Sequence, residues 1–334
     1  MKFGPVEIGH AEGAVLAHSV SLGARRRLRK GRVLDASDIA ALADAGVEEV
    51  TVARLEAGDV FENEAARALA EALVPDPGGQ HLHLTEAFTG RVNLLAEGPG
   101  VAVLDVAALE AVNQIHPMIT LATVPPFQQM ADRGMVATIK IISYAVPQNA
   151  LEAACRAARA AIRLAPPVID RVNLIVTDIG GGAGTKGQKA IADRVAAFGL
   201  EMDAPKVVPH DEAALSQALT DRTQGLTLIL TGSATSDIDD VAPAALRQAG
   251  GTVERFGMPV DPGNLLFLGQ IYQQPVIGLP GCARSPALNG ADWVLARVVC
   301  GLEVRDADIA AMGVGGLLKE IPSRPQPRAG RTSK

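Results

Sequence analysis

Two short apolar runs, Val172 to Val176 and Leu226 to Leu230, constrain the fold of this chain more than any other feature, because each leads through a loop into a helical pattern. After the first run come a Gly-rich loop and a helix predicted over about Gln188 to Phe198, where Ile191, Val195 and Phe198 form one stripe. A second helix is predicted after Asp211. The second run ends in Thr231, and a third helix follows Asp240 with Pro243 in its first turn and Gly250 at its end. Shorter strands at Leu265 to Leu268 and Val276 to Leu279 lead to a helix around Leu288 to Val299. Strands alternating with helices predict an α/β domain over 166–320, three-layered around a mostly parallel sheet with right-handed crossovers.

Smaller α/β segments are expected ahead of it. Asp35 precedes a periodic segment in which Ile39, Leu42 and Ala45 share one face, and Gly46 stands where a left-handed helix end is wanted. Strand-like Val47 to Val52 follows, then a helix over Glu62 to Leu73 with Ala65, Leu69 and Leu73 at four-residue spacing. Pro75, Pro77, Gly78 and Gly79 mark a linker, which closes a first segment over 1–75. A mixed segment is expected over 81–165, with β-rich runs at Val101 to Leu104 and Val136 to Tyr144 and helices at Val106 to Val112 and Ala150 to Leu164. The end, 321–334, reads as a disordered basic tail carrying Arg324, Arg328, Arg331 and Lys334 among prolines.

Composition removes several functions. With 334 residues, 48% of them hydrophobic and 20% charged, there is material for a core and for two or three domains. A net charge of −6 and only 3% aromatic residues argue against nucleic acid as a partner, since neither a positive field nor stacking platforms exist. Cys155, Cys282 and Cys300 are too far apart for a disulfide framework or a paired-cysteine zinc site, which fits a reducing compartment. Met1 to Gly13 holds charges and no apolar run, unlike a secretory signal. The uncharged stretch Pro262 to Ala283 contains Pro and Gln residues that a bilayer would leave unsatisfied. The expectation is a cytoplasmic protein without a membrane partner. His81 and His83 alternate on one strand face, but no third ligand stands at suitable spacing, so any metal site is unknown. The basic run Arg25 to Arg32 reads first as a solvated loop, with anion or partner docking as the sharper alternative.

Open parallel sheets bind ligands at the carboxyl ends of their strands, which singles out the loops 177–187, 231–240 and 280–286. In the first, Gly182-Ala183-Gly184-Thr185-Lys186-Gly187 formally matches a dinucleotide fingerprint, so a nicotinamide-dependent oxidoreductase stays open. Ile179 to Gly181 lengthen the turn beyond the tight one that fingerprint needs. A plain turn, or another anion held by backbone N–H groups with Lys186 or Lys189, answers the same residues. In the second loop Asp237, Asp239 and Asp240 crowd together, and their repulsion calls for a metal ion or N–H donors as an offset. Its bland reading is a solvated turn with Asp240 as helix N-cap.

The order Thr231-Gly232-Ser233, then Asp240 to Ala245, then Leu279-Pro280-Gly281 resembles the molybdopterin-binding domain shared by molybdopterin adenylyltransferases and molybdopterin molybdotransferases. Met258 to Asn264, with Pro262 and Gly263, is similar to that family's proline-glycine loop, and Thr185-Lys186-Gly187-Gln188 resembles a shortened form of its helix start. The resemblance spans Val172 to Leu302. It implies molybdopterin or molybdenum cofactor as ligand and a place in that cofactor's biosynthesis, maturation or hand-over. A cofactor nucleotidyltransferase or a molybdoenzyme would be the partner, and the chain a homo-oligomer. Asp178, Asp237 and Asp240 become the implied catalytic residues. Thr177, Gly182, Thr185, Lys186, Gly187, Thr231, Gly232, Ser233, Ala234, Thr235, Ser236, Pro262, Gly263, Pro280, Gly281, Cys282, Arg284 and Ser285 become the implied cofactor-binding residues.

The ligand's chemistry suits these types. A carboxylate pairs bidentately with the adjacent N–H donors of a pterin edge, and backbone amides at Gly232 to Ser236, with the helix start at Val241, suit its phosphate. The sequence also departs from the family. Thr185 stands where the family carries a carboxylate, Asp178 stands alone in place of an acidic pair, and Cys282 replaces an Asn. Magnesium-dependent nucleotide chemistry loses oxygen ligands by these changes. A molybdotransferase or adenylyltransferase and a non-catalytic carrier scaffold therefore both remain open.

Overall fold

The antiparallel sheet at the centre of the first unit runs in the order Ile119–Thr123, Met135–Ile141, Arg91–Ala96, Leu82–Leu84. Side chains alternate along Met135–Ile141, so Ile139 and Ile141 are buried while Thr138 and Lys140 face outward. Helices Glu62–Leu73, Val106–Ile115 and Gln148–Ala157 contribute to the same core, where Leu69, Leu73, Val112 and Leu151 join Leu94 and Ile139. A smaller sheet, Lys2–Glu7, Glu49–Arg54 and Val15–Leu16, packs with helix Ala36–Asp44. Asp35 and Asp38 form a capping box at that helix, and Asp38 takes the Arg32 guanidinium at 2.5 Å.

Two sequence expectations change here. The helix predicted over Ala150 to Leu164 ends at Ala157; Ala160 turns at φ 55°, and Ile162–Ala165 is a strand. Its residues alternate, with Arg163 exposed between buried Ile162 and Leu164, which is a strand period and not a helical one. The run expected over Val136 to Tyr144 is a strand only as far as Ile141, and a separate strand, Ala145–Pro147, begins just after it.

The computed structural model describes residues 1–23, 26–180, 185–221 and 224–318, and of Thr185 and Lys186 the backbone alone. Arg25, Gly182 and the basic tail at 321–334 lie outside the described residues. The chain divides into two compact units: Met1–Gly98 with Ala102–Leu164, and Pro99–Val101 with the chain from Ala165 onward. Among the described residues no helix is long and apolar enough to cross a membrane.

The second unit runs β1 (Val172–Asp178), α1 (Thr185–Ala196), β2 (Lys206–Pro209), α2 (Glu212–Thr220), β3 (Leu226–Leu230), α3 (Val241–Gln248), β4 (Thr252–Phe256), β5 (Phe267–Ile271), β6 (Gln274–Leu279) and α4 (Gly290–Val299). These strands form one six-stranded sheet in the order β2-β1-β3-β6-β5-β4. The first four are parallel; β5 and β4 add antiparallel. Every residue of β3 is buried, as the second apolar run requires. Ile175, Ile229 and Phe267 pack on one face against Leu215 and Leu219 of α2 and Leu246 of α3. On the other face Leu230 lies against Gly187 at the start of α1, so the domain is three-layered.

The antiparallel edge departs from simple strand–helix alternation. Tyr272 and Gln273, both at positive φ, form a two-residue turn that folds β5 back along β6. β4, a strand the sequence pattern did not suggest, carries Glu254 and Arg255 and a register shift between Val253 and Arg255. Charge and a bulge at an outer strand discourage pairing with another chain.

Candidate functional site

Parallel order sends the carboxyl ends of β1, β2, β3 and β6 to one edge of the sheet, and the three candidate loops leave from that edge. Thr177, the penultimate residue of β1, is fully buried. Its Oγ1 accepts the Gly232 N–H at 2.9 Å and lies 2.8 Å from Nδ1 of His210, the residue after β2. A Cβ on Gly232 would stand 2.7 Å from the Thr177 carbonyl oxygen, so glycine is what lets the second loop lie against the end of β1. Gly187 plays the same part at α1, where a Cβ would meet Arg284 Cγ at 2.8 Å. Arg284 Nη2 in turn donates to the Thr231 carbonyl at 2.7 Å. Segments 177–180, 231–236 and 281–285 therefore meet with the start of α1.

The acidic loop is satisfied locally. Asp240 caps α3, with Oδ1 accepting from Val241 N at 2.7 Å and Oδ2 from Ser236 N at 2.9 Å. Asp237 Oδ1 accepts the Asp239 N–H at 2.9 Å, and Asp239 pairs with Arg247 at 2.7 Å. Asp178 accepts the Gly180 N–H at 3.1 Å. Amides and one guanidinium thus offset the repulsion that the sequence raised. Among the described residues no group of three or more His, Cys, Asp or Glu side chains is placed to hold a metal ion. The amides of Ser233, Ala234 and Thr235 meet no acceptor among the described residues, while the buried Thr231 and Thr235 hydroxyls lie 3.4 Å apart.

The third loop is held from beneath by Arg194 on α1. Its Nε meets Asp292 at 2.5 Å; Nη1 donates to the carbonyls of Ala190 and Ala283, and Nη2 to those of Ser285 and Ala287, all within 3.0 Å. Pro280 and Gly281 open the turn that this guanidinium fixes, and Ser285 Oγ accepts from Ala287 N at 3.3 Å. Cys282 is half-buried, and burial pushes its thiol up from the ordinary cysteine range, so it stays protonated at neutral pH. Pro262 and Gly263 are tied elsewhere: the Pro262 carbonyl accepts from Gly290 N at 2.8 Å, and a Cβ on Gly263 would meet that nitrogen at 2.7 Å. They buttress the start of α4. Of the remaining sequence candidates, Gly182 and the side chains of Thr185 and Lys186 lie outside the described residues.

Sequence reasoning passed over Arg194, His210 and Asp292. Asn289 and Asp292 form a capping box at α4, a spacing visible in the sequence. Arg194 and His210 belong to no motif. A cavity of about 540 Å³, lined by Val168, Thr252, Gln273 and Arg305 among others, opens at the opposite, amino-terminal edge of the sheet.

Residues 184–297 match the family model described as a probable molybdopterin binding domain. Residues 5–54 match one described as a domain of unknown function (DUF8806). Solved structures similar to the chain include the molybdopterin biosynthesis MoeA protein from Pyrococcus horikosii, at 13% identity, covering 90% of this chain and 75% of that one with a TM-score of 0.32. Another is a molybdenum cofactor biosynthesis protein from Pyrococcus furiosus, at 13% identity, covering 91% of this chain and 66% of that one with a TM-score of 0.24. No curated protein matches the chain.

Proposed function

We propose that the carboxyl edge of the second unit's sheet binds molybdopterin or molybdenum cofactor, and that the protein acts in the biosynthesis, maturation or hand-over of that cofactor. The observation that carries this reading is the meeting of the 231–236 loop with Arg284 and Thr177, largely inside the segment that matches the molybdopterin-binding family model. The open amides of Ser233 to Thr235 suit a phosphate, with Arg284 beside them. Asp240 spends both carboxylate oxygens on Ser236 and Val241, so its part is to shape the loop. Asp237 and Asp178 each spend one oxygen on a neighbouring amide, and their second oxygens remain as acceptors for an N–H of a pterin edge.

That local satisfaction favours binding and hand-over, to a cofactor nucleotidyltransferase or a molybdoenzyme, over transfer chemistry at these carboxylates. A cytoplasmic location and a homo-oligomer belong to the same proposal. The test is to purify the full chain from a cofactor-making host, oxidise it, and measure the fluorescent pterin released. Wild type should release pterin and Arg284→Ala much less. A wild type without pterin overturns the reading.

A further inference from the structure

We infer that His210 is a ligand-contacting residue of this edge, held by Thr177 in its Nε2–H form so that it offers an N–H donor to an anionic oxygen of the ligand. The inference rests on the reading above for what that ligand is.

Its basis is proton accounting at a buried hydroxyl. Thr177 is fully buried, and its hydroxyl has one proton and two lone pairs. One lone pair takes the Gly232 N–H at 2.9 Å. The polar atom that remains within reach is His210 Nδ1, at 2.8 Å. If Nδ1 carried a hydrogen, Thr177 would accept twice and its own proton would lack an acceptor among the described residues, which is unfavourable in a buried place. If Thr177 donates to Nδ1, both hydrogens at Thr177 Oγ1 have a partner: Gly232 N–H to Thr177 Oγ1, then Thr177 O–H to Nδ1. A neutral imidazole bonded at Nδ1 in this way carries its hydrogen on Nε2.

The His210 backbone N–H donates to the Asp178 carbonyl at 2.9 Å, which fixes the residue at the carboxyl edge between β2 and β1. The ring is half-buried, and Nε2 has no partner among the described residues. Through Thr177 and Gly232 the imidazole is wired to the loop whose Ser233, Ala234 and Thr235 amides are also open. One N–H from a side chain and three from a backbone are a donor set of the kind a phosphate takes.

Two measurements on the full-length protein test this. Long-range proton–nitrogen NMR of the histidine rings needs no variant; His210 should show the Nε2–H pattern, and an Nδ1–H pattern overturns the inference. Inorganic phosphate serves as the probe for the second. His210→Asn keeps a polar atom at the Nδ1 position but nothing at Nε2, and should lower phosphate affinity about tenfold, the loss of one charge-assisted hydrogen bond. His210→Gln places its amide near the Nε2 position and should recover most of that affinity. Equal phosphate affinity for His210→Asn and wild type overturns the inference. Phosphate binding through His210 in a protein that releases no pterin defeats the pterin reading and leaves His210 assigned. Equal pterin release from wild type and both variants does the reverse.

Discussion

Arg194 and Asp292 join α1 to α4 through a 2.5 Å contact between Nε and Oδ1, with both side chains largely buried. Each also serves its neighbourhood. Asp292 Oδ2 accepts the Asn289 N–H at 2.7 Å, and the remaining Arg194 nitrogens reach four backbone carbonyls, three of them in the 283–287 segment. A planar guanidinium with five donors can satisfy such a set, whereas a lysine ammonium cannot span it.

Arg194→Met should therefore destabilise the protein by about 3–5 kcal/mol, because it leaves a buried carboxylate without its partner. Arg194→Lys should recover little of that. Urea denaturation of the three proteins measures it, and a loss below about 1 kcal/mol for Arg194→Met would show that water replaces the guanidinium at no great cost.

Gly232→Ala and Gly281→Ala should behave oppositely. The first puts a methyl group 2.7 Å from the Thr177 carbonyl oxygen, whereas the second meets nothing nearer than 4.0 Å. Thermal unfolding should show a loss of about 1–3 kcal/mol for Gly232→Ala with reduced pterin release, and a change within about 0.5 kcal/mol for Gly281→Ala. Matching stabilities would mean that the second loop shifts freely against β1.

Asp240 separates shaping from chemistry. Asp240→Ala removes both of its hydrogen bonds and should cost about 1 kcal/mol or more, while Asp240→Asn keeps one of the two acceptors and should cost less than Asp240→Ala. On the binding reading, pterin release follows stability and Asn stays close to wild type. Full loss of release in Asp240→Asn at unchanged stability would assign the carboxylate charge itself to the ligand.

Cys300 gives the protein a pH signature. Burial pushes its thiol from 9.0 up to about 12, so between those values the folded state binds a proton that the unfolded state has lost. Stability from this group is complete below pH 9.0 and falls as pH rises towards about 12, with a slope of at most about 1.4 kcal/mol per pH unit. Denaturation at pH 8, 9 and 10 should show a shallower decline for Cys300→Ala than for wild type. Parallel curves would place the thiol's titration elsewhere.

Much of the architecture can be read along the chain. The helix at Glu62 to Leu73, the buried strand at Leu226 to Leu230 and the caps Asp35, Asp211 and Asp240 appear where their residue types place them. Each is a local property, set by spacing over one or two turns or by a side chain reaching three residues ahead. Elements whose identity comes from a neighbour were not legible. β4 is a short, charged stretch that becomes a strand because β5 lies beside it, and Ile162–Ala165 is too short for its alternation to stand apart from the helical run before it.

The candidate site divides along the same line. Residue types and motif order marked the three loops, because a phosphorylated heterocycle demands amides, carboxylates and small residues in its surroundings. Which of them meet was decided by the strand order β2-β1-β3-β6, which sets the ends of β1 and β3 side by side and brings Thr177 to Gly232 and Arg284 to Thr231. His210 and Arg194 gain their roles from partners 33 and 98 positions away along the chain. Sequence determines what a side chain can donate or accept; only the packed sheet determines which partner stands within 3 Å of it, because hydrogen bonding depends on distance and angle and those are properties of the fold.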